Sequence, residues 1–322
     1  MNQRLTHGQP LTVAQAAGEV VTEQVRALRT HARVACRGRD VEAVHQLRVA
    51  TRRLRAAFRV FGAHAPAPRK VLKGLRRLAR ELGPVRDHDV ILALLASHDV
   101  KAVTGEERAA FQHLVATLDR RRARAQARLV KTLTRPRFSK LLARLRRYAA
   151  SPGGEDAPAS TALVEAVTAL GEVVARHPAM AIPAPSPAAL HDLRIAFKRL
   201  RYALDFHAAA CGLAYDVERR MAHQLQDVLG AIHDHDLLLD WIGEARGPFR
   251  GPWQVLRLRL SRERQKLFRR FLRQRAAWLE RTQPAAAPIE EPRFVNLEPA
   301  PVALRLVTRP RHVASTMIAQ GE

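Results

Sequence analysis

His45-Gln46-Leu47-Arg48-Val49-Ala50-Thr51-Arg52-Arg53-Leu54-Arg55-Ala56-Ala57-Phe58 recurs 146 residues later as His191-Asp192-Leu193-Arg194-Ile195-Ala196-Phe197-Lys198-Arg199-Leu200-Arg201-Tyr202-Ala203-Leu204. His, Leu, Arg, Ala, Arg, Leu, Arg and Ala repeat in register. At about 100° per residue, His45, Arg48, Arg52, Arg55 and Arg59 fall within an arc of roughly 80° on a helix. Leu47, Ala50, Leu54, Ala57, Phe58 and Phe61 fall on a separate apolar face, the stripe a helix turns to a core. In the second copy His191, Arg194, Lys198 and Arg201 take the basic arc, and Leu193, Ala196, Leu200 and Leu204 take the apolar one. Arg53 and Arg199 project to the opposite flank and read as ordinary surface charges. A solvated helix face usually intersperses acids as i,i+4 partners of its cations. The first stripe has none, and its repetition points to a shared task, the holding of an anion. Asp205 stands where Arg59 would repeat, so the second stripe is shorter.

A second repeat lies downstream. Leu82-Gly83-Pro84-Val85-Arg86-Asp87-His88-Asp89-Val90 matches Leu229-Gly230-Ala231-Ile232-His233-Asp234-His235-Asp236-Leu237 at an offset of 147. Each copy reads as a helix closing at Gly, a short turn, and a new helix with Asp87 or Asp234 as N-cap. Asp-His-Asp also offers metal donors, but no Glu-x-x-His or paired-Cys spacing supports that use. A third reading has Asp89 and Asp236 fixing neighbouring arginines by bidentate pairing. Just upstream, Lys73, Arg76 and Arg80 share a helix face, and their counterparts are Arg220, His223 and Asp227.

The 322 residues carry a net charge of +25, a balance that implies a polyanionic partner. From Gln283 onward four basic residues face four acidic ones, so the excess belongs to the helical body. Cys36 and Cys211 stand alone, which implies neither a disulfide framework nor a zinc site. No apolar run reaches the roughly 18 residues of a membrane span, and the N-terminus lacks a hydrophobic signal core. A soluble, cytoplasmic protein is expected.

The patterning predicts an all-α fold. Helices are expected over Val13–Cys36, Val41–His64, Arg69–Leu82, Asp87–Ser97, Glu106–Leu133 and Arg137–Ala149. After a Gly- and Pro-rich linker at Ser151–Ser160 they resume over Ala162–Arg176, Ala188–Cys211, Val217–Leu229, Asp234–Glu244 and Trp253–Thr282, with Pro178–Pro187 as a loop. The division is a first helical part over 10–150, a second over 160–282, and an extended or disordered Pro-rich tail over 283–322.

The motif His-x-x-Arg-x-x-x-(Arg/Lys)-Arg-x-Arg, followed by Arg/His-Asp-x-Asp and present twice, resembles the CHAD domain (conserved histidine α-helical domain) over roughly residues 10 to 282. The resemblance implies two pseudo-symmetric, four-helix-bundle-like halves around a central basic cavity. It also implies binding of inorganic polyphosphate and association with polyphosphate granules and their proteins. By motif match the binding residues are His45, Arg48, Arg52 and Arg55, then His191, Arg194, Lys198 and Arg201, backed by Lys73, Arg76, Arg220 and His223; the shared helix faces add Arg59 and Arg80. His233 replaces the motif arginine found at Arg86, which with Asp205 and Asp227 makes the second copy the weaker one. Many such domains are fused to a CYTH-type triphosphatase marked by Glu-x-Glu-x-Lys; that motif is absent and Met1–Pro10 is too short to hold such a domain, so that activity is not expected.

The expected function is therefore binding without catalysis and without a cofactor or metal. Arginine forks suit phosphate oxygens, and His45 and His191, starting near an ordinary pKa of about 6.5, are expected to strengthen binding as pH falls. The alternatives are a sequence-nonspecific nucleic-acid binder and a metal-dependent polyphosphate or triphosphate hydrolase. Against the first, aromatics make up 5% of residues, leaving few stacking platforms. Weak nonspecific nucleic-acid affinity is nevertheless expected from charge alone. Against the second, no Gly-x4-Gly-Lys-Ser/Thr loop and no two-metal carboxylate cluster is present.

Overall fold

The computed structural model describes residues 11–38, 40–99, 104–153, 157–212, 214–244 and 250–282. The expected tail over 283–322 lies outside them. Ten helices run through the described residues: α1 (Val13–Ala35), α2 (Val41–Val60), α3 (Arg69–Asp99), α4 (Gly105–Leu133), α5 (Pro136–Ala150), α6 (Ala159–Ala175), α7 (Pro178–Ala181), α8 (Pro187–Cys211), α9 (Asp216–Glu244) and α10 (Arg250–Thr282). The all-α expectation holds. Several helix starts carry a side-chain cap. Thr12 and Gln15 form a capping box on α1, and Asp40, Thr104 and Ser186 accept backbone N–H groups at the starts of α2, α4 and α8.

Three expectations change. The Leu-Gly-Pro and Leu-Gly-Ala segments do not break their helices, so α3 is one helix of 31 residues with Pro84 inside it and α9 one of 29. Asp87 and Asp234 are therefore mid-helix residues and not N-caps. Pro84 forgoes a single hydrogen bond, to the carbonyl of Arg80. The His88 and His235 rings each reach the carbonyl four residues back, on Pro84 and Ala231, from the following turn. The expected loop at Pro178–Pro187 contains α7, capped by His177. The end of the expected linker is tied down, because Val13 N–H donates to the Ala157 carbonyl and Ala159 N–H to that of Leu11.

Helix packing follows the apolar stripes. α1 packs on α2 and α5, α2 on α3, and α3 on α4; α6 packs on α8, α8 on α9, and α9 on α10. α2 also meets α8, and α3 meets α9. Leu47 and Leu54 of α2 and Leu193 and Leu200 of α8 are buried in one core, with Phe61 beside Phe206 at a ring separation of 5.7 Å. A second, smaller core joins the far ends of the long helices through Ile91, Leu95, Phe111, Leu114, Leu238, Ile242, Trp253 and Leu256. No helix among the described residues is long and apolar enough to cross a membrane.

Candidate functional site

Turning the apolar stripes of α2 and α8 into a common core leaves their basic stripes beside one another where the helices meet. Arg48 and Arg52 come from α2, Arg194 and Lys198 from α8, and all four are half-buried. Each lies within electrostatic reach of the others, and Lys198 also feels Arg55. α3 and α9 bring Asp87 and Asp234 to the same place. Arg48 Nη2 stands 3.4 Å from Asp87 Oδ1, and Arg194 is within reach of both aspartates. Gly83 lies directly under Arg48: a Cβ there would stand 3.4 Å from Nη1.

The cations outnumber the acids, and the pKa values record it. Burial, then Arg194 and Arg52, pushes Lys198 down to about 7. Burial raises Asp234 to about 6, against the pull of Arg194 and with help from Asp87; it raises Asp87 as well. The Nε atoms of Arg52 and Arg194 are buried and have no hydrogen-bond partner. Buried donors are normally satisfied, so these two leave hydrogen-bonding capacity within one cluster of cations.

The histidines of the repeat stand at the edge of this cluster. His191 Nδ1 lies 3.3 Å from His233 Nδ1, and burial followed by Arg194 and His191 lowers His233 to about 4. Burial lowers both His45 and His191, assisted by Arg86 at His45 and by Arg194 at His191. Their expected titration near 6.5 is thereby corrected downward.

The remaining candidates divide. Arg55 and Arg59 extend the α2 stripe outward, exposed, and Arg199 approaches Arg59 instead of standing apart on a far flank. Arg201 is committed internally, donating to Gln226 Oε1 at 2.7 Å and Asp205 Oδ2 at 2.9 Å, with its guanidinium 4.4 Å from the Tyr202 ring centroid. His223 Nε2 pairs with the other Asp205 oxygen at 3.0 Å. Arg220 is bound to Asp216, about 20 Å along α9 from His233 at 1.5 Å per residue. Lys73 and Arg80 line a separate groove against α4 and α5, and Arg76 is exposed on α3.

Reading the second repeat as a pair of caps hid Arg86, Asp87, His233 and Asp234 from the expected site. Continued as one helix, Gly83 and Asp87 are one turn apart on a shared face, and that spacing was the available signal. Both outer aspartates pair with an arginine, as the third reading expected, but only Asp236 does so bidentately. Asp89 accepts Nε of Arg122 from α4, and Asp236 accepts Nε and Nη2 of Arg264 from α10.

Comparison with known proteins places this arrangement. No curated protein matches the sequence. Among solved structures, the crystal structure of the CHAD domain from the plant Ricinus communis is similar at 22% identity with a TM-score of 0.58, over 88% of this chain and 91% of that one. PptA from Streptomyces chartreusis is similar at 20% identity with a TM-score of 0.61, over 83% of this chain and 99% of that one. At such identities the likeness is one of fold. The CHAD domain model itself matches residues 19–243, and on that match over most of its length the chain belongs to the CHAD domain family.

Proposed function

We propose that this chain binds inorganic polyphosphate without catalysis, at the meeting of α2 and α8, and so associates with polyphosphate granules in the cytoplasm. The observation that carries the reading is the like-charged set Arg48, Arg52, Arg194 and Lys198, with the buried, unpartnered Nε atoms of Arg52 and Arg194. Polyphosphate offers a row of anionic acceptor oxygens and no donors, the complement of such a set. Half-buried guanidiniums between helices suit a thin chain of phosphates better than a duplex. Tyr202, which lies under the Arg201 guanidinium, is buried and offers bases no platform. The acids do not favour a hydrolase, since Asp87 and Asp234 stand among guanidiniums while Asp89 and Asp236 are each tied to an arginine.

Calorimetric titration with long-chain polyphosphate at physiological salt, with DNA as competitor, tests the reading. Binding is expected to survive an equal amount of DNA phosphate. Displacement by DNA would move the assignment to a nonspecific nucleic-acid binder, and release of free phosphate with magnesium or manganese would move it to a hydrolase.

The pKa values set the expected pH response. As pH rises through about 6, Asp234 gains a negative charge, and through about 7 Lys198 loses a positive one. Both changes make the free site less cationic, so affinity falls from pH 5 to pH 8, by up to about tenfold per pH unit for each proton linked to binding. Lys198→Arg is expected to flatten the upper limb of that profile and leave the lower one. A profile unchanged by Lys198→Arg would count against this assignment.

A further inference from the structure

Away from α2 and α8, a groove of about 880 Å³ runs between α3, α4 and α5. Ten basic side chains line it, among them Arg77, Arg128, Lys131, Lys140 and Arg144, against a single acid, Glu81. None of the ten is ion-paired with a carboxylate among the described residues. Other basic helix surfaces of this protein do pair: Arg122, Arg219, Arg264 and Arg281 each hold a carboxylate. The floor is built for close approach. Gly74 on α3 lies against Leu141 of α5, where an added Cβ would stand 2.8 Å from Leu141 Cδ1. That contact seats α5 against α3, and Arg77, Lys140 and Arg144 line the groove beside it.

We infer that this groove is a second polyphosphate-binding surface, engaged only by chains long enough to reach it from the α2–α8 site. The inference rests on the polyphosphate reading above. The route between the two is short. Gly83, under Arg48, and Arg80, which lines the groove, are three residues apart on α3, so they sit about 5 Å apart along the axis and about 60° apart around it. A chain leaving Arg48 passes over the α3 shoulder at Arg80 and enters a trough with no carboxylate but Glu81. Each further phosphate neutralised there releases counterions, which adds affinity and steepens its salt dependence.

Titration of the full chain with long-chain and with short-chain polyphosphate tests this, across the parent, Arg128→Gln/Arg144→Gln and Arg48→Glu/Arg52→Glu. Lys131→Gln/Lys140→Gln, both exposed, serves as an independent groove variant. The groove variants are expected to lose about tenfold in long-chain affinity and part of its salt slope, while short-chain affinity stays at the parent value. The stripe variant is expected to lose both ligands. If the groove variants bind long chains as the parent does while the stripe variant fails, the groove is not a site and the polyphosphate reading stands. If the stripe variant also binds normally, both fall together. Loss of short chains in the groove variants would show that the two surfaces are not separate and would overturn the inference.

Discussion

Replacing Arg52 and Arg194 together by glutamate is expected to lower polyphosphate affinity by a factor of about a hundred to ten thousand. Hydrogen bonds to charged groups contribute about 1.5–3 kcal/mol each, so losing two removes about 3–6 kcal/mol before any repulsion from the new carboxylates. Neither side chain belongs to the apolar core, but Arg194 stands beside Asp87 and Asp234 as well as beside Arg48 and Arg52. A glutamate there faces two carboxylates, so a modest fall in the unfolding midpoint is expected, and affinity is compared on protein that circular dichroism shows to be folded. The charge-matched control Arg257→Glu/Arg262→Glu, on exposed positions of α10, alters net charge equally. Screening at physiological salt should leave it close to the parent. Equal losses in the two variants would reduce the α2–α8 site to bulk charge.

Arg122→Ala should produce the largest loss of stability among these variants, about 3–5 kcal/mol. It strands the Asp89 carboxylate, whose side chain is 1% accessible and whose Oδ2 already lacks a hydrogen-bond partner. Removing one member of a buried pair leaves an uncompensated charge, which costs more than the pair itself contributes. In a protein of this size each kcal/mol lowers the melting temperature by about 2–4 °C, so a fall of roughly 6–20 °C is expected. Arg264→Ala should cost less, because the Asp236 side chain is 18% accessible and water solvates what remains. Asp89→Leu/Arg122→Leu, which removes both charges, should recover most of the loss. Chemical denaturation of the three variants measures this directly, and equal costs for Arg122→Ala and Arg264→Ala would refute the burial argument.

The parts of the molecule that a single helix can specify were legible in the sequence. The 3.6-residue spacing of Leu47, Leu54, Leu193 and Leu200 located the core, and the same patterning located the starts of α1 and α2 at Val13 and Val41. The same spacing marked Arg48, Arg52, Arg194 and Lys198. Local rules failed where tertiary packing outweighs them. Gly-Pro reads as a stop, yet Pro84 costs α3 one hydrogen bond while both flanking turns are held by buried Leu82 and Val85. The fate of Arg201 and Arg220 was equally hidden, since their partners decide it. Arg201 meets Gln226 from another helix, and Arg220 meets an aspartate one turn away, so neither charge is free for a ligand.

The continuity of α3 and α9 has one more consequence. Had these helices broken at Gly83 and Gly230, their restarted N-termini would have aimed fixed backbone N–H groups at the site and seated each phosphate in one position. Instead the site offers only long side chains repeated along helix faces. A polymer of identical units held in this way can shift by one unit and meet nearly the same partners, so strong retention and lateral sliding need not be opposed.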